Sequence, residues 1–288
     1  MTIQNPFPQI SRWIARQLLQ FCVVLLGFGM DLAIVLRAGK TGALFAAISI
    51  GTTLILGYWF GKWLKIPVKA SVLISAGTAI CGGSAIAAVA TVVGAAEQEI
   101  SIAMGTVFLL NAAALYIFPL LGHSLHLSPD QFGTWAGIAI HDISSVVGAA
   151  SYFDAASLDV ATAVKLSRAL WIVPISLLFA FLFQRQTAQL QYQQTRRTTR
   201  RTKVHIPWFI GLFLLASLMR TFVPNVAHWS PVLTQFSEAG LKLTLFLIGT
   251  GLSLQALKAV GWRPIAQGIV LWVVISISSL GMILWLVH

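Results

Sequence analysis

Apolar residues run along this chain in blocks of about 20, each enough to cross a hydrocarbon core about 30 Å thick as a helix. The pattern predicts nine spans, near 16–36, 43–64, 70–93, 100–121, 134–153, 160–183, 207–223, 238–257 and 264–287. Short links such as Lys65-Ile66-Pro67 and Ser128-Pro129-Asp130 separate them. The one long polar stretch, 184–206, is rich in Gln, Thr and Arg and reads as a basic linker between the sixth and seventh spans. The expected architecture is therefore all-α and polytopic, a single transmembrane domain over residues 1–288.

Two of these spans follow one template that does not suit a lipid-facing helix. The third contains Gly77-Thr78-Ala79-Ile80-Cys81-Gly82-Gly83-Ser84-Ala85-Ile86, and the fifth contains Gly137-Ile138-Ala139-Ile140-His141-Asp142-Ile143-Ser144-Ser145-Val146. One copy has Gly-Gly at its centre and the other has His-Asp. Backbone that unwinds and ionisable groups at membrane depth are both costly in lipid, and both are usually kept for a substrate path. The two spans are predicted to be interrupted near Gly82 and His141.

A second echo lies further apart. Leu25-Leu26-Gly27-Phe28-Gly29 matches Leu247-Ile248-Gly249-Thr250-Gly251, and Gly39 matches Gly261 at the same shift. The copies fall in the first and eighth spans, which cross in opposite directions, as an inverted-topology repeat requires. Chance matching of Gly and Leu in apolar sequence is the competing explanation.

Composition agrees with a membrane protein: 57% of residues are hydrophobic and only 9% charged, which excludes an ordinary soluble domain. The N-terminus lacks the short apolar core and small-residue cleavage site of a secretory signal, so the first span reads as retained. The net charge of +11 raises the question of nucleic acid, but its placement answers differently. If links alternate sides, one side collects most of the basic residues, including Lys62, Lys65, Lys69 and the run Arg196-Arg197-Thr198-Thr199-Arg200-Arg201. The other side holds only Arg37, Lys40 and Arg220. The positive-inside bias then puts the N-terminus in the cytoplasm and the C-terminus outside a bacterial inner membrane. The basic run reads as a topology determinant in contact with anionic headgroups, not as a nucleic-acid site.

The candidate chemistry gathers at one depth. His141 and Asp142 lie several residues into the fifth span, either as a packed structural pair or as a gate, a proton-linked group or a substrate ligand. Lys165 and Arg168 enter the sixth span from the outer side and share a helix face. They either snorkel outward or turn inward, pairing with Asp142 or offering positive charge to an anion. The Gly82-Gly83-Ser84 break exposes backbone N–H groups at the start of a half-helix with Ser84 as a cap, unless the glycines serve only close packing. Asn111 in the fourth span reads as a helix-to-helix hydrogen bond. Cys22 and Cys81 lie inside apolar runs, with neither a disulfide framework nor metal-ligand spacing.

The motif from Gly77 to Ala88 resembles the YeiH-type sulfate exporter family of bacterial membrane proteins. The likeness continues through Ile140–Ala150, Val164–Trp171 and Leu247–Leu252 and spans essentially the whole chain. That family is similar in fold to the sodium/bile-acid symporter and sodium/proton antiporter group. The resemblance implies inverted repeats with interrupted helices crossing near the midplane. Family members carry further hydrophobic sequence before the span that is first here, which implies either an additional N-terminal segment or fewer peripheral helices.

The expectation is a secondary transporter of a small inorganic or organic anion, of sulfate or sulfonate type, working by alternating access. Gly82, Gly83 and Ser84 form one half of the expected site and His141, Asp142, Ser144 and Ser145 the other, with Lys165 and Arg168 supplying positive field. Proton coupling through His141 and Asp142 is one option. The alternatives are a sodium-coupled organic anion symporter and a structural membrane protein without transport. No enzyme site, cofactor or metal site is expected. The expected partners are the small anion and the lipid bilayer, with no nucleic acid, and assembly as a homodimer is left open.

Overall fold

The computed structural model describes residues 14, 17–18, 20–22, 24–25, 27–29, 39–194, 208–250 and 261–286. Its described residues form helices and short connections, with no strand among them. In chain order these are α1 (Gly39–Trp63), α2 (Val68–Ala79), α3 (Gly83–Val93), α4 (Glu97–Ser124), α5 (Pro129–Ala139) and α6 (Ile143–Phe153). They continue with α7 (Ala155–Ala169), α8 (Ile172–Gln194), α9 (Trp208–Phe222), α10 (Pro224–Thr250) and α11 (Arg263–Leu286). Among the described residues three segments, Glu97–Ser124, Ala155–Phe183 and Arg263–Trp285, are each long and apolar enough to cross a membrane. The third and fifth predicted spans appear instead as paired half-helices, α2 with α3 and α5 with α6.

Local sequence explains most helix ends. Ser128 accepts a bond from the Gln131 N–H (3.2 Å) while the Gln131 side chain accepts from the Ser128 N–H (3.0 Å), a reciprocal cap with Pro129 as the first helical residue. Glu99 accepts from the Ala96 N–H (2.8 Å) at the start of α4, and Asp154 from the Ala156 N–H (2.7 Å) at the start of α7. Between α7 and α8 the chain turns at Leu170 and Trp171. Pro174 cannot donate to the Leu170 carbonyl, so the helix is interrupted there.

One boundary departs from the sequence reading: α10 begins at Pro224, well before the predicted 238, and carries Pro231 inside it. α8 continues to Gln194, so the linker at 184–206, which the sequence allows to be partly helical, begins in helix; the remainder of that linker lies outside the described residues. The glycine pairing of the first and eighth spans is described in part: Leu25, Gly27, Phe28, Gly29 and Gly39 of one copy, and Leu247–Thr250 and Gly261 of the other, while Leu26 and Gly251 lie outside the described residues. Gly27 abuts α9, its carbonyl accepting from Ser217 (3.1 Å).

Two apolar cores fill the bundle. One is built on α2, α3 and α4 with Ala46 and Ile50 of α1, Ala169 of α7 and Ile172, Ile175 and Phe179 of α8. The other joins α4, α5, α6 and α11 around Phe118, Phe132 and Trp135. α5 and α7 approach at backbone distance. A Cβ on Gly133 would sit 2.7 Å from the Ser157 carbonyl oxygen, and one on Gly137 would sit 2.8 Å from that of Ala161. Glycines four apart on one face permit this contact. The Trp135 indole N–H donates to the Ser276 carbonyl (2.9 Å) and ties α5 to α11.

Candidate functional site

Each interruption is closed by its own backbone before any side chain takes part. At the end of α2, the Ile80 N–H reaches the Ala76 carbonyl (3.1 Å) and the Gly82 N–H reaches back to the Gly77 carbonyl (2.8 Å). That wider bond is the usual closure of a glycine-terminated helix. Gly82 has φ 69° and ψ −125°, a conformation that a residue without Cβ adopts cheaply. α3 then starts, with the Ile86 N–H bonded to the Gly82 carbonyl (3.1 Å). α5 ends likewise: Ile140 turns extended (φ −83°, ψ 130°), and the Asp142 carbonyl accepts from Val146 (3.0 Å) to open α6.

The two interruptions touch. A Cβ on Gly82 would sit 3.3 Å from both the carbonyl carbon and the Cβ of His141. Asn111 of α4 holds the second break, its Oδ1 accepting from the His141 N–H (3.1 Å) and the Asp142 N–H (3.3 Å). Arg168 of α7 holds the first. Its guanidinium donates to the Ala79 carbonyl at the end of α2 and to the Ser49 hydroxyl of α1 (2.8 Å). A cation there opposes the negative end of the α2 dipole.

The sixth-span cations turn inward. Lys165 is 1% exposed and Arg168 2%, so neither snorkels outward. Lys165 lies within electrostatic range of Asp142, Cys81 and Arg168, and His141 within range of both cations. His141 is itself buried, and neither ring nitrogen has a hydrogen-bond partner among the described residues. The same holds for the buried Thr78 hydroxyl, one turn before the first break, and for Nε of Arg168. Polar atoms left unsatisfied in a dry core are costly, and here they cluster around one crossing.

Other expected members are placed differently. Ser84 does not cap α3: Gly82 is the capping residue and no side chain bonds the cap, because the helix starts two residues earlier than a Ser84 cap requires. The Ser84 hydroxyl is instead engaged with the Cys81 thiol. Gly83 faces α4, where a Cβ would meet the Phe108 ring at 3.4 Å, and not His141. Ser145 is half-buried on the first turn of α6; the side chain of Ser144 lies outside the described residues. Thr78 and Ser49 were not singled out from the sequence, although Thr78 stands inside the first template. Among the described residues no His/Cys/Asp/Glu cluster could hold a metal ion.

The crossing thus combines the starts of two half-helices, two buried cations and one half-buried carboxylate. Backbone N–H groups at a helix start and buried cations both favour negative charge. Among the described residues one acid, Asp142, stands against the two cations, a formal excess of positive charge among them.

Residues 1–287 match the family described as Conserved hypothetical protein 698. Relatives named UPF0324 membrane protein occur in Bacteroides thetaiotaomicron, 45% identical over 98% of this chain and 82% of the relative, and in Porphyromonas gingivalis, 46% identical over 94% and 79%. Another, from Bdellovibrio bacteriovorus, is 44% identical over 99% of this chain and 85% of its own length. No solved structure matches. The chain belongs to the Conserved hypothetical protein 698 family and is a helical membrane protein.

Proposed function

We propose that this protein is a secondary transporter of a small anion, working by alternating access at the crossing of its interrupted helices. The observation that carries the reading is the contact of Gly82 with His141, where two half-helix starts meet beside the buried Lys165 and Arg168. Such termini suit an anionic group, as in other transporters with discontinuous helices. Sulfate or a sulfonate-type anion fits this chemistry, with the Thr78 hydroxyl and the His141 imidazole as neutral ligands beside the cations. The Lys/Arg bias of the links favours the N-terminus in the cytoplasm of a bacterial inner membrane.

The test is flux into liposomes holding the purified full chain. Sulfate, sulfite, a short sulfonate and small carboxylates are offered with and without pH and sodium gradients. At least one anion is expected to move, and Arg168→Ala and His141→Ala are expected to stop it. Failure of every anion under every gradient overturns the reading. Drive by a pH gradient alone supports proton coupling, and drive by sodium alone supports the symporter alternative.

A further inference from the structure

The end of the bundle where α1 meets α2 carries a second feature, independent of the crossing. A cavity of about 930 Å³ opens between α1, α2 and α8. That is at the upper end of ligand pockets, roughly 300–1,000 Å³. Its walls are Leu54, Ile55, Val72, Leu178, Phe179 and Leu182. Ser71 and Ser75 also line it, but both hydroxyls accept from Nε2 of Gln267 (2.8 and 3.2 Å). An inorganic ion would find little to bind along such walls.

The mouth has the opposite character. Lys62 and Lys65 border it, both exposed, their ammonium groups without hydrogen-bond or ion-pair partners among the described residues. Tyr58 and Trp59 stand beside them, 57% and 64% exposed, and Trp63 follows at 76%. Aromatic rings next to lysines mark the level of the headgroups at a membrane interface. Lys65 is moreover held at φ 55°, where its N–H bonds the Lys62 carbonyl (3.2 Å) and the Ile66 N–H bonds that of Gly61 (2.9 Å). This is the helix-ending position that glycine normally fills. A lysine there puts up with backbone strain to place a charge at the mouth.

We propose that this cavity is a binding site for one anionic phospholipid of the adjacent leaflet. Its acyl chains lie along the Leu54–Val72–Phe179 walls and its phosphate sits on Lys62 and Lys65. The complementarity is twofold: an apolar channel of acyl-chain character, and paired cations at headgroup level.

The full chain is purified from membranes containing phosphatidylglycerol and phosphatidylcholine, and retained lipid is measured by native mass spectrometry. Wild type is expected to keep phosphatidylglycerol in preference to phosphatidylcholine. Lys62→Gln with Lys65→Gln is expected to lower that preference about fivefold for each lysine. The charge-conserving Lys62→Arg with Lys65→Arg keeps it, and Leu182→Trp, which fills the groove, lowers retention of both lipids. Equal retention by wild type, or a preference untouched by the Gln pair or by Leu182→Trp, overturns the proposal. If the Gln pair does not fold, as judged by size exclusion in neutral lipid, the Arg pair and Leu182→Trp decide alone. Loss of sulfate flux with no change in retained lipid in the Gln pair also overturns it, and assigns the cavity to the anion's entry route.

Discussion

Gly82 lies directly against the backbone of His141, so the unwound centre of one interrupted helix forms the wall of the other. A Cβ at Gly82 would meet two backbone atoms of His141 at 3.3–3.4 Å, at a φ of 69° that side chains rarely adopt. The contact and the conformation both require glycine.

Gly82→Ala is therefore expected to destabilise the protein by about 1–3 kcal/mol and to separate the two breaks. Gly83→Ala is the matched control. At the first position of α3, an added methyl meets the Phe108 ring at 3.4 Å and the Met104 sulfur at 3.6 Å, ordinary contacts, so stability stays level or rises slightly. Thermal unfolding of the two variants in one lipid checks this; equal losses would contradict the assignment.

Asn111 is expected to hold the second break through its acceptor oxygen alone. Asn111→Leu strands the N–H groups of His141 and Asp142, at about 1–3 kcal/mol for each buried donor. Asn111→Asp keeps both bonds and so keeps stability, yet it adds negative charge beside the cations and weakens anion binding. Unfolding midpoints and sulfate binding, measured together, should separate the two variants.

Arg168 bridges α2 and α1 with two different nitrogens. Lysine offers a compact ammonium without the planar fork, so Arg168→Lys retains charge but not both bonds. The expected loss is about 1.5–3 kcal/mol, one charged hydrogen bond, together with reduced flux. A Lys variant with the stability and flux of wild type would show that the bridge is unnecessary.

Gln267 provides a contrast away from the crossing. Its Nε2 donates to the Gly57 carbonyl (2.9 Å) as well as to Ser71 and Ser75, tying α11 to α1 and α2. Gln267→Leu should cost about 1–3 kcal/mol in unfolding. Anion affinity should be nearly unchanged, because the group touches nothing at the crossing.

The positions of both helix breaks were legible because local chemistry fixes them: Gly82 needs a left-handed backbone, and His141-Asp142 sits where no lipid-facing helix tolerates it. The cations at 165 and 168 were legible as a pair through their spacing. Their partners were not. Arg168 bonds a carbonyl 89 residues away, and no side-chain pattern advertises a backbone oxygen. Asn111 was visible as a hydrogen-bonding residue but not as the clamp on the second break, since its partners are main-chain N–H groups 30 and 31 residues on. Ser84 looked like a cap because serine commonly is one, whereas the glycine two places earlier already closes the turn. The early start of α10 brings two prolines into a helix, a residue type that ordinarily marks a helix end and not its interior. Pro224 instead opens the helix, and Pro231 is carried within it.

The backbone contact of α5 with α7 has a mechanical consequence. With Gly133 and Gly137 seated against the Ser157 and Ala161 carbonyls, the two helices pack at backbone distance, where any side chain at either glycine would collide. The His141 break and the Lys165–Arg168 pair are thus carried on one closely packed helix pair. On the proposed alternating access, the seam between this pair and α2 is the expected line of movement. Arg168 spans that seam through its bond to the Ala79 carbonyl, the contact such a movement would break.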